Sequence, residues 1–266
     1  MSVKKKRKTD LNSLVNRYKR VSVVSEIEKN LVGNTIISLS PDELILSDLY
    51  SEKNYNLDIY TSLEKSIRED GFLMPLIAVK NEGGNYEIIN GVKRFLLGKK
   101  IGLKTIPIVK AELAKERKFQ YILENIQSEG DSAFVKTYAF TVLKEKYKYN
   151  DSDIADLSSL SLAQVRNILR LNNLPQFLKD ALLDFTLTYA EARSLLNLPL
   201  DRQKELYDGI RKGEFSVREL EKVKRRYTGK SKENKVIRNK NKITITFKSE
   251  EEAIKNYDKL VRDFKD

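Results

Sequence analysis

The spacing of apolar residues changes near residue 112, and this change limits what the chain can fold into. Up to that point, short apolar runs of strand length alternate with segments of helical spacing. From residue 113 to 227, the apolar residues follow helical spacing almost throughout. We therefore expect an α+β protein, with a small mixed α/β domain over residues 31–112 and an all-helical domain over residues 113–227.

Short strands and two helices are predicted for the first domain. Apolar runs predict strands at 35–39, 76–79, 86–90 and 105–110, and helical spacing predicts helices at 57–70 and 91–102. The EGGN segment at 82–85 contains residues that tolerate a positive φ, so it predicts a hairpin turn. Pro107 lacks a backbone N–H, which favours an edge position for the last strand.

The two ends of the chain differ from these domains in composition. Residues 1–30 are polar and basic and predict a flexible tail, while residues 228–241 have few apolar side chains and predict a basic linker. After the linker, residues 242–247 alternate strictly and predict a strand, and residues 249–264 predict a helix. Because one strand and one helix cannot bury a core alone, we expect residues 242–266 to form a dimerisation segment that pairs with a second copy.

The chain carries a formal net charge of +12, and the excess lies in two segments. Residues 1–30 hold nine Lys and Arg against three Asp and Glu, and residues 211–242 hold thirteen against four. Such clusters attract polyanions, because binding releases counterions from a phosphate backbone. A solvated surface explains either segment equally well on its own, but two of them around a helical domain favour nucleic acid as the partner.

Composition excludes several classes of function. The chain has no Cys and no His, which excludes disulfides, thiolate and imidazole metal sites, cysteine nucleophiles and Ser-His-Asp triads. No apolar run approaches the roughly 20 residues of a membrane span. No apolar segment follows the basic start, so no secretory signal is expected. We expect a cytoplasmic, nucleoid-associated protein without a membrane span.

Residues 151–171 have the pattern of a helix-turn-helix. Ala155 supplies the small residue that the first helix needs, and Val165 and Ile168 follow at the spacing of inward-facing anchors. The turn carries Ser159 where Gly is commonest. An ordinary helical hairpin would show the same apolar spacing, but the second helix is rich in side chains that read base edges or hold phosphates. The residues expected to contact DNA are Ser161, Ala163, Gln164, Arg166, Asn167 and Arg170.

A second candidate site lies where a predicted strand runs into a helix. Gly91 lets the backbone approach a ligand closely, the helix N-terminus directs free N–H groups outward, and Lys93 and Arg94 add positive charge. This combination favours a phosphate group. Glu124 and Asn125 then supply oxygen ligands of the kind that Mg²⁺ takes when it bridges phosphates. Taken alone, strand-Gly-helix junctions are common and Lys93 and Arg94 could simply be solvated, while Glu124 and Asn125 are better explained by an ordinary surface helix.

Together these residues resemble the ParB/Noc family of chromosome and plasmid partition proteins, from about residue 35 to residue 227 and more faintly over 242–266. The family's first pattern is S-I-x-x-x-G-x-x-x-P-I, and Gly91 to Arg94 stand where the family has G-E-R-R. Glu124 to Gln127 match E-N-x-Q, and Asn167 to Leu171 match N-x-L-R-L. The first pattern is carried by Ser66-Ile67, Gly71 and Pro75, with Ile77 shortly after.

The resemblance implies a CTP-switched DNA clamp. A homodimer would bind a short palindromic duplex through the helix-turn-helix, then close around the DNA and slide along it. Slow hydrolysis of CTP to CDP and phosphate would reopen the clamp. CTP and Mg²⁺ would be bound by Gly91, Val92, Lys93, Arg94, Glu124 and Asn125. The basic tail would stimulate a ParA-type ATPase through Lys4, Lys5, Lys6, Arg7 and Lys8.

Two departures from the family pattern keep alternatives open. Val92 and Lys93 replace a Glu and an Arg, and Lys keeps the charge but loses the planar fork. The alternatives are a nucleoid-occlusion factor, a DNA-binding regulator that has lost the nucleotide switch, and a small-molecule kinase of the same N-terminal fold with Glu124 as base. The kinase would leave the helix-turn-helix unexplained. Sulfiredoxin chemistry, which the same fold also supports, is excluded because the chain has no Cys.

Overall fold

The structure is a computed structural model that describes residues 35–128, 130–228, 235–239 and 242–246. The predicted basic tail at 1–30 and the predicted helix at 249–264 lie outside the described residues. The chain divides into two compact units, residues 1–189 and 190–266. Each unit is described by itself.

The first unit contains a five-stranded mixed sheet in the order β1-β5-β3-β4-β2. β3 and β4 form an antiparallel hairpin, β1 is antiparallel to β5, and β5–β3 and β2–β4 are parallel pairs. The strands are β1 (Ile36–Leu39), β2 (Leu44–Leu46), β3 (Leu76–Lys80), β4 (Tyr86–Asn90) and β5 (Ile106–Ala111). β2 was not predicted, because three apolar residues are too few to show a period.

The prediction that Pro107 marks an edge strand is wrong. β5 lies between β1 and β3, and Pro107 pairs with Ser38 of β1. The pairing of β5 with β3 begins only at Ile108. Pro107 therefore lies beyond the end of one of the two ladders, where the strand tolerates a missing backbone N–H.

Helices account for most of the chain after the sheet, as the apolar spacing predicts. The helices are α1 (Thr61–Asp70), α2 (Val92–Lys100), α3 (Lys115–Ser128), α4 (Ala133–Glu145), α5 (Asp151–Ser158), α6 (Leu162–Leu169), α7 (Gln176–Leu183), α8 (Tyr189–Leu195), α9 (Leu200–Arg211) and α10 (Val217–Thr228). Among the described residues, no helix is long and apolar enough to cross a membrane.

One contiguous core connects the sheet with the helices of the first unit. Leu76, Ile88 and Ile108 are fully buried on the sheet, and Phe119 of α3 and Phe140 of α4 belong to the same cluster. The anchors of the helix-turn-helix join it as well, since Val165 and Ile168 are members of that cluster. The apolar side chains that form the sheet thus also hold the helix-turn-helix segment in place.

The described part of the second unit comprises the end of α8, then α9, α10 and a separate hairpin. β6 (Lys235–Asn239) and β7 (Lys242–Thr246) pair antiparallel. β7 confirms the strand predicted from 242 onward. β6 corrects the sequence analysis, which assigns these five residues to the linker at 228–241. Val236 and Ile237 supply the β-branched side chains that favour a strand, and they pair with Ile245 and Thr244.

Candidate functional site

The Gly91 turn joins β4 to α2 and requires glycine for two reasons. Gly91 has φ +89°, a conformation that side-chain-bearing residues rarely adopt. A Cβ at this position would also lie 2.5 Å from Cδ2 of Leu76 and 2.9 Å from Nη2 of Arg94. Glycine is therefore required at this position, where α2 begins with free backbone N–H groups of the kind that bind anions.

Arg94 ties this turn to the segment that follows α1. Its Nη1 donates to the carbonyl oxygens of Met74 and Pro75, the latter at 3.2 Å, and its Nη2 donates to Oδ1 of Asn90 at 3.3 Å. The guanidinium thus links the end of β4 to the residues that precede β3. In the free protein it already serves a structural purpose.

Lys93 forms a largely buried ion pair with Asp131, which precedes α4. Its Nζ lies 2.8 Å from Oδ1 of Asp131, and the two side chains are 14% and 3% exposed. The hydroxyl of Tyr55 donates to Oδ2 of the same carboxylate at 3.3 Å. Val92, which replaces the family's Glu, is buried in the core, so only its backbone can meet a ligand. The Gly91 turn is therefore connected to the start of α4.

Helix α3 places Asn125 against the end of β4. Asn125 is buried, its Oδ1 accepts from Nδ2 of Asn90 at 3.5 Å, and its own Nδ2 has no hydrogen-bond partner. An unpaired buried amide costs free energy, so this donor favours an outside acceptor. Glu124 is half-buried. Within the described ranges, no group of three or more Asp, Glu, His or Cys is arranged to hold a metal.

Gln127, the last residue of the E-N-x-Q match, contacts the helix-turn-helix. Its Nε2 donates to the carbonyl oxygen of Ser158 at 3.1 Å, at the C-terminus of α5. Sequence reasoning did not find this contact, because it joins residues 31 positions apart and no local pattern encodes it. The same helix therefore contacts both the Gly91 turn and the helix-turn-helix.

The helix-turn-helix is formed by α5 and α6. Ala155, Val165 and Ile168 are buried as the spacing predicts. Ser159 caps α5 with φ +56°, the left-handed conformation for which Gly is preferred. Asn150 begins α5 with a capping box, in which its side chain accepts from the backbone N–H groups of Ser152 and Asp153.

The exposed side of α6 carries most of the residues expected to contact DNA. Arg166 is 62% exposed, Arg170 and Ala163 are exposed, and Asn167 is half-buried. At 100° per residue these four lie opposite the buried anchors of α6. Ser161 and Gln164 are exposed too, but they form the N-terminal capping box of α6. In the free protein, the Gln164 carbonyl is therefore engaged with Ser161.

Two carboxylates beside these cations were missing from the sequence analysis. Asp131 pairs with Lys93 at the Gly91 turn, and Asp151 accepts hydrogen bonds from Lys144 and Arg166 next to the exposed side of α6. Both contacts depend on tertiary structure. The acidic residues carry no local signal beyond their position near a helix N-terminus.

Two family models together match most of the chain. The ParB N-terminal domain model matches residues 25–126, and the ParB HTH domain model matches residues 131–229. A Borreliella burgdorferi protein named "Probable chromosome-partitioning protein ParB" is 32% identical over 179 residues, which cover 66% of this chain and 68% of that protein.

The chain belongs to the ParB family. Two crystal structures of C-terminally truncated ParB from Caulobacter crescentus are also similar. The complex with the centromeric parS site is 25% identical, covers 71% of this chain and 99% of that chain, and has a TM-score of 0.42. The complex with CTP-gamma-S is 26% identical, covers 66% of this chain and 98% of that chain, and has a TM-score of 0.32. At these TM-scores, the assignment to the ParB family rests on the sequence matches.

Proposed function

We propose that this ParB-family protein recognises a short palindromic DNA duplex through its helix-turn-helix and supports chromosome or plasmid partition. The observation that carries the proposal is the exposed side of α6, where Arg166, Asn167 and Arg170 point away from the buried anchors. Arg and Asn are the side chains that pair with guanine and adenine edges in the major groove. Ser161, Ala163 and Gln164 complete the proposed contact set at the N-terminus of α6.

Selection from a random duplex pool tests the DNA proposal. The wild-type chain is expected to enrich a palindromic sequence, and Arg166→Ala and Arg170→Ala are each expected to weaken binding to it by about tenfold. Lys65→Ala removes an exposed charge from α1 and serves as the matched control, with little expected change. If the pool stays unenriched and both arginine variants bind like Lys65→Ala, the proposal fails.

The Gly91 turn is the proposed binding site for CTP. The first N–H groups of α2 lack helical partners, and Asn125 holds an unpaired amide donor nearby. Val92 would contribute its backbone N–H, while Lys93 and Arg94 would contribute charge. Glu124 would supply a carboxylate for Mg²⁺, and Oδ1 of Asn125, which accepts from Asn90, would offer its second lone pair. The bound nucleotide would supply the phosphate oxygens that complete the metal's ligand set.

Calorimetry with CTP, in the presence of Mg²⁺ or of a chelator, tests the nucleotide proposal. We expect saturable binding that depends on Mg²⁺ and is lost in Arg94→Ala. Lys99→Ala removes an exposed cation from the same helix and should bind like the wild type. ATP, GTP and UTP distinguish a cytidine site from a general phosphate site. Absence of heat with CTP, in protein that melts normally, would overturn the proposal.

The remaining steps extend this proposal to a clamp. A homodimer formed through residues 242–266 would close around DNA when CTP binds, slide while closed, and reopen after CTP is hydrolysed to CDP and phosphate. The basic tail, through Lys4 to Lys8, would contact a ParA-type ATPase, and DNA binding would place the protein on the nucleoid. Accumulation on a closed DNA circle, but not on an open-ended duplex, in the presence of CTP is the expected result.

A second candidate function is a DNA-binding regulator without a nucleotide switch. Two observations favour it, because Val92 is buried where the family has a Glu and Lys93 is already paired with Asp131. This candidate predicts the same DNA selection but no heat with CTP. The two experiments above therefore separate the candidates.

A further inference from the structure

Asp151 contacts two other helices of the DNA-contacting region. It is the first residue of α5, and its Oδ1 accepts a hydrogen bond from Nζ of Lys144 on α4 at 2.6 Å. Its Oδ2 accepts from Nε of Arg166 on α6 at 3.2 Å. The carboxylate is 22% exposed, so water screens these contacts only in part. Three helices thus meet at one side chain.

The hydrogen bond to Asp151 leaves one end of Arg166 free to meet DNA. An arginine has five N–H donors in a planar fork, and this contact uses the single one on Nε. The four donors on the two terminal nitrogens form the edge that pairs with O6 and N7 of guanine. Arg166 is therefore held through its Nε, on a side chain that is 62% exposed, and its terminal nitrogens carry no hydrogen bond within the described residues.

Holding an arginine in this way reduces the entropy that DNA binding has to overcome. A free arginine side chain samples many rotamers and meets phosphates as readily as bases. The hydrogen bond from Lys144, acting against burial, together with the one from Arg166 lowers the pKa of Asp151. The carboxylate is therefore ionised at neutral pH, and Lys144 fixes its orientation.

We propose that Asp151 is a specificity-determining positioning residue, which orients Arg166 toward a guanine and away from non-specific phosphate contacts. This inference rests on the proposed DNA-binding function. It concerns the preference for one DNA sequence over another. The general attraction of a basic surface to DNA does not require Asp151.

The test compares Asp151→Asn with Asp156→Asn. Both changes remove one negative charge from α5, but Asp156 is exposed, and the side-chain hydrogen bond that the structure describes for Arg166 goes to Asp151 instead. Each full-length variant is titrated with the duplex that the wild-type chain selects and with a scrambled duplex of the same composition. Thermal unfolding establishes that each variant is folded at the assay temperature.

The expected result is a change in preference confined to one variant. Asp151→Asn should lower the preference for the selected duplex over the scrambled one by about tenfold. Asp156→Asn should bind both duplexes slightly more tightly and keep the preference. Repeating the selection with Asp151→Asn should relax one guanine position in each half-site, leaving the others unchanged.

A double-mutant cycle separates positioning from a general loss of structure. In an Arg166→Ala background, Asp151→Asn should cause no further loss of preference, because the side chain that it orients is absent. An equal loss in both backgrounds, or equal behaviour of Asp151→Asn and Asp156→Asn, would overturn the inference. Failure of the wild-type chain to select any duplex would instead overturn the proposed function.

Discussion

The Gly91 turn and the exposed side of α6 both carry cations, but the cations of the turn are bonded within the protein and those of α6 are exposed to solvent. At the turn, Lys93 and Arg94 are bound to Asp131 and to backbone carbonyls inside the first unit. On α6, Arg166 and Arg170 are exposed, and Arg166 has one carboxylate partner behind it. The turn is held in shape by its cations, whereas α6 presents its cations to solvent.

The difference indicates how each region should respond to substitution. A buried charge that loses its partner remains desolvated and unpaired, which destabilises the fold. An exposed charge is solvated whether or not its partner is present. Its loss therefore lowers the affinity for the ligand but hardly changes the stability of the fold. Substitutions at the Gly91 turn should therefore change the free energy of unfolding, and substitutions on the exposed side of α6 should change the affinity for DNA.

The largest expected effect is at Asp131. Asp131→Asn should lower the free energy of unfolding by about 3 kcal/mol, because Lys93 would be left buried without its carboxylate. The measurement is the midpoint of urea unfolding. The control is Asp58→Asn, which removes the exposed partner of Lys100 and should leave the midpoint nearly unchanged. Equal shifts for the two variants would remove the distinction between buried and exposed pairs.

Replacing both members of that pair sharpens the same test. Lys93→Met combined with Asp131→Leu removes both charges of the pair, so most of the lost stability should return. If the double variant is as unstable as Asp131→Asn, packing at this position matters more than charge.

A smaller effect is expected at Gly91. Gly91→Ala should cost about 2 kcal/mol, through left-handed strain and the contact of the new Cβ with Leu76. Gly84→Ala is the matched control, since Gly84 has φ +87° but nothing within 4 Å of its Cβ position. It should cost about 1 kcal/mol from strain alone. Chemical denaturation measures both, and identical losses would contradict the close approach at Gly91.

In the helix-turn-helix, the expected change has the opposite sign. Ser159→Gly should stabilise the protein by about 0.5 kcal/mol, because glycine adopts φ +56° without strain and loses part of that gain to greater freedom in the unfolded chain. Thermal unfolding measures the shift, and DNA affinity should be unchanged. A destabilised Ser159→Gly would mean that the serine side chain has a role in the turn.

The smallest expected effect concerns the contribution of Asp151 to the stability of the protein at low pH. Its pKa is lowered from 3.8, so its contacts stabilise the fold above that pH and are lost as the pH falls through the lower folded-state value. Urea midpoints measured from about pH 5 down to about pH 2 should therefore fall less steeply in Asp151→Asn than in the wild type. Arg166→Ala, which keeps the Lys144 contact, should lie between them. Identical slopes in all three proteins would contradict a lowered pKa.

Local patterns predicted much of the fold. The apolar spacing located the helices after residue 113, and the anchors Ala155, Val165 and Ile168 are buried as expected. The capping role of Ser161 and Gln164 was also present in the sequence, because S-x-x-Q before an apolar run is a helix-start signature. That both residues also contact DNA stays a prediction.

The rest depends on contacts that no local pattern records. Pro107 was assigned to an edge because its missing N–H is visible in the sequence, while the extent of each ladder is not. The carboxylate that pairs with Lys93 lies 38 positions later in the chain. The carboxylate that pairs with Arg166 lies 15 positions earlier. A basic residue announces its charge, but only tertiary structure determines which acid neutralises it.

Helix α3 holds Asn125 toward Asn90 and Gln127 toward Ser158 within less than one turn. Residues two apart on a helix face nearly opposite directions. Helix α3 is therefore hydrogen-bonded on two opposite sides, at nearly the same position along its axis. A shift of α3 along its axis, or a rotation about it, must disturb both hydrogen bonds at once. A substitution in this stretch that improves the contact on one side of α3 must therefore also leave the contact on the other side intact.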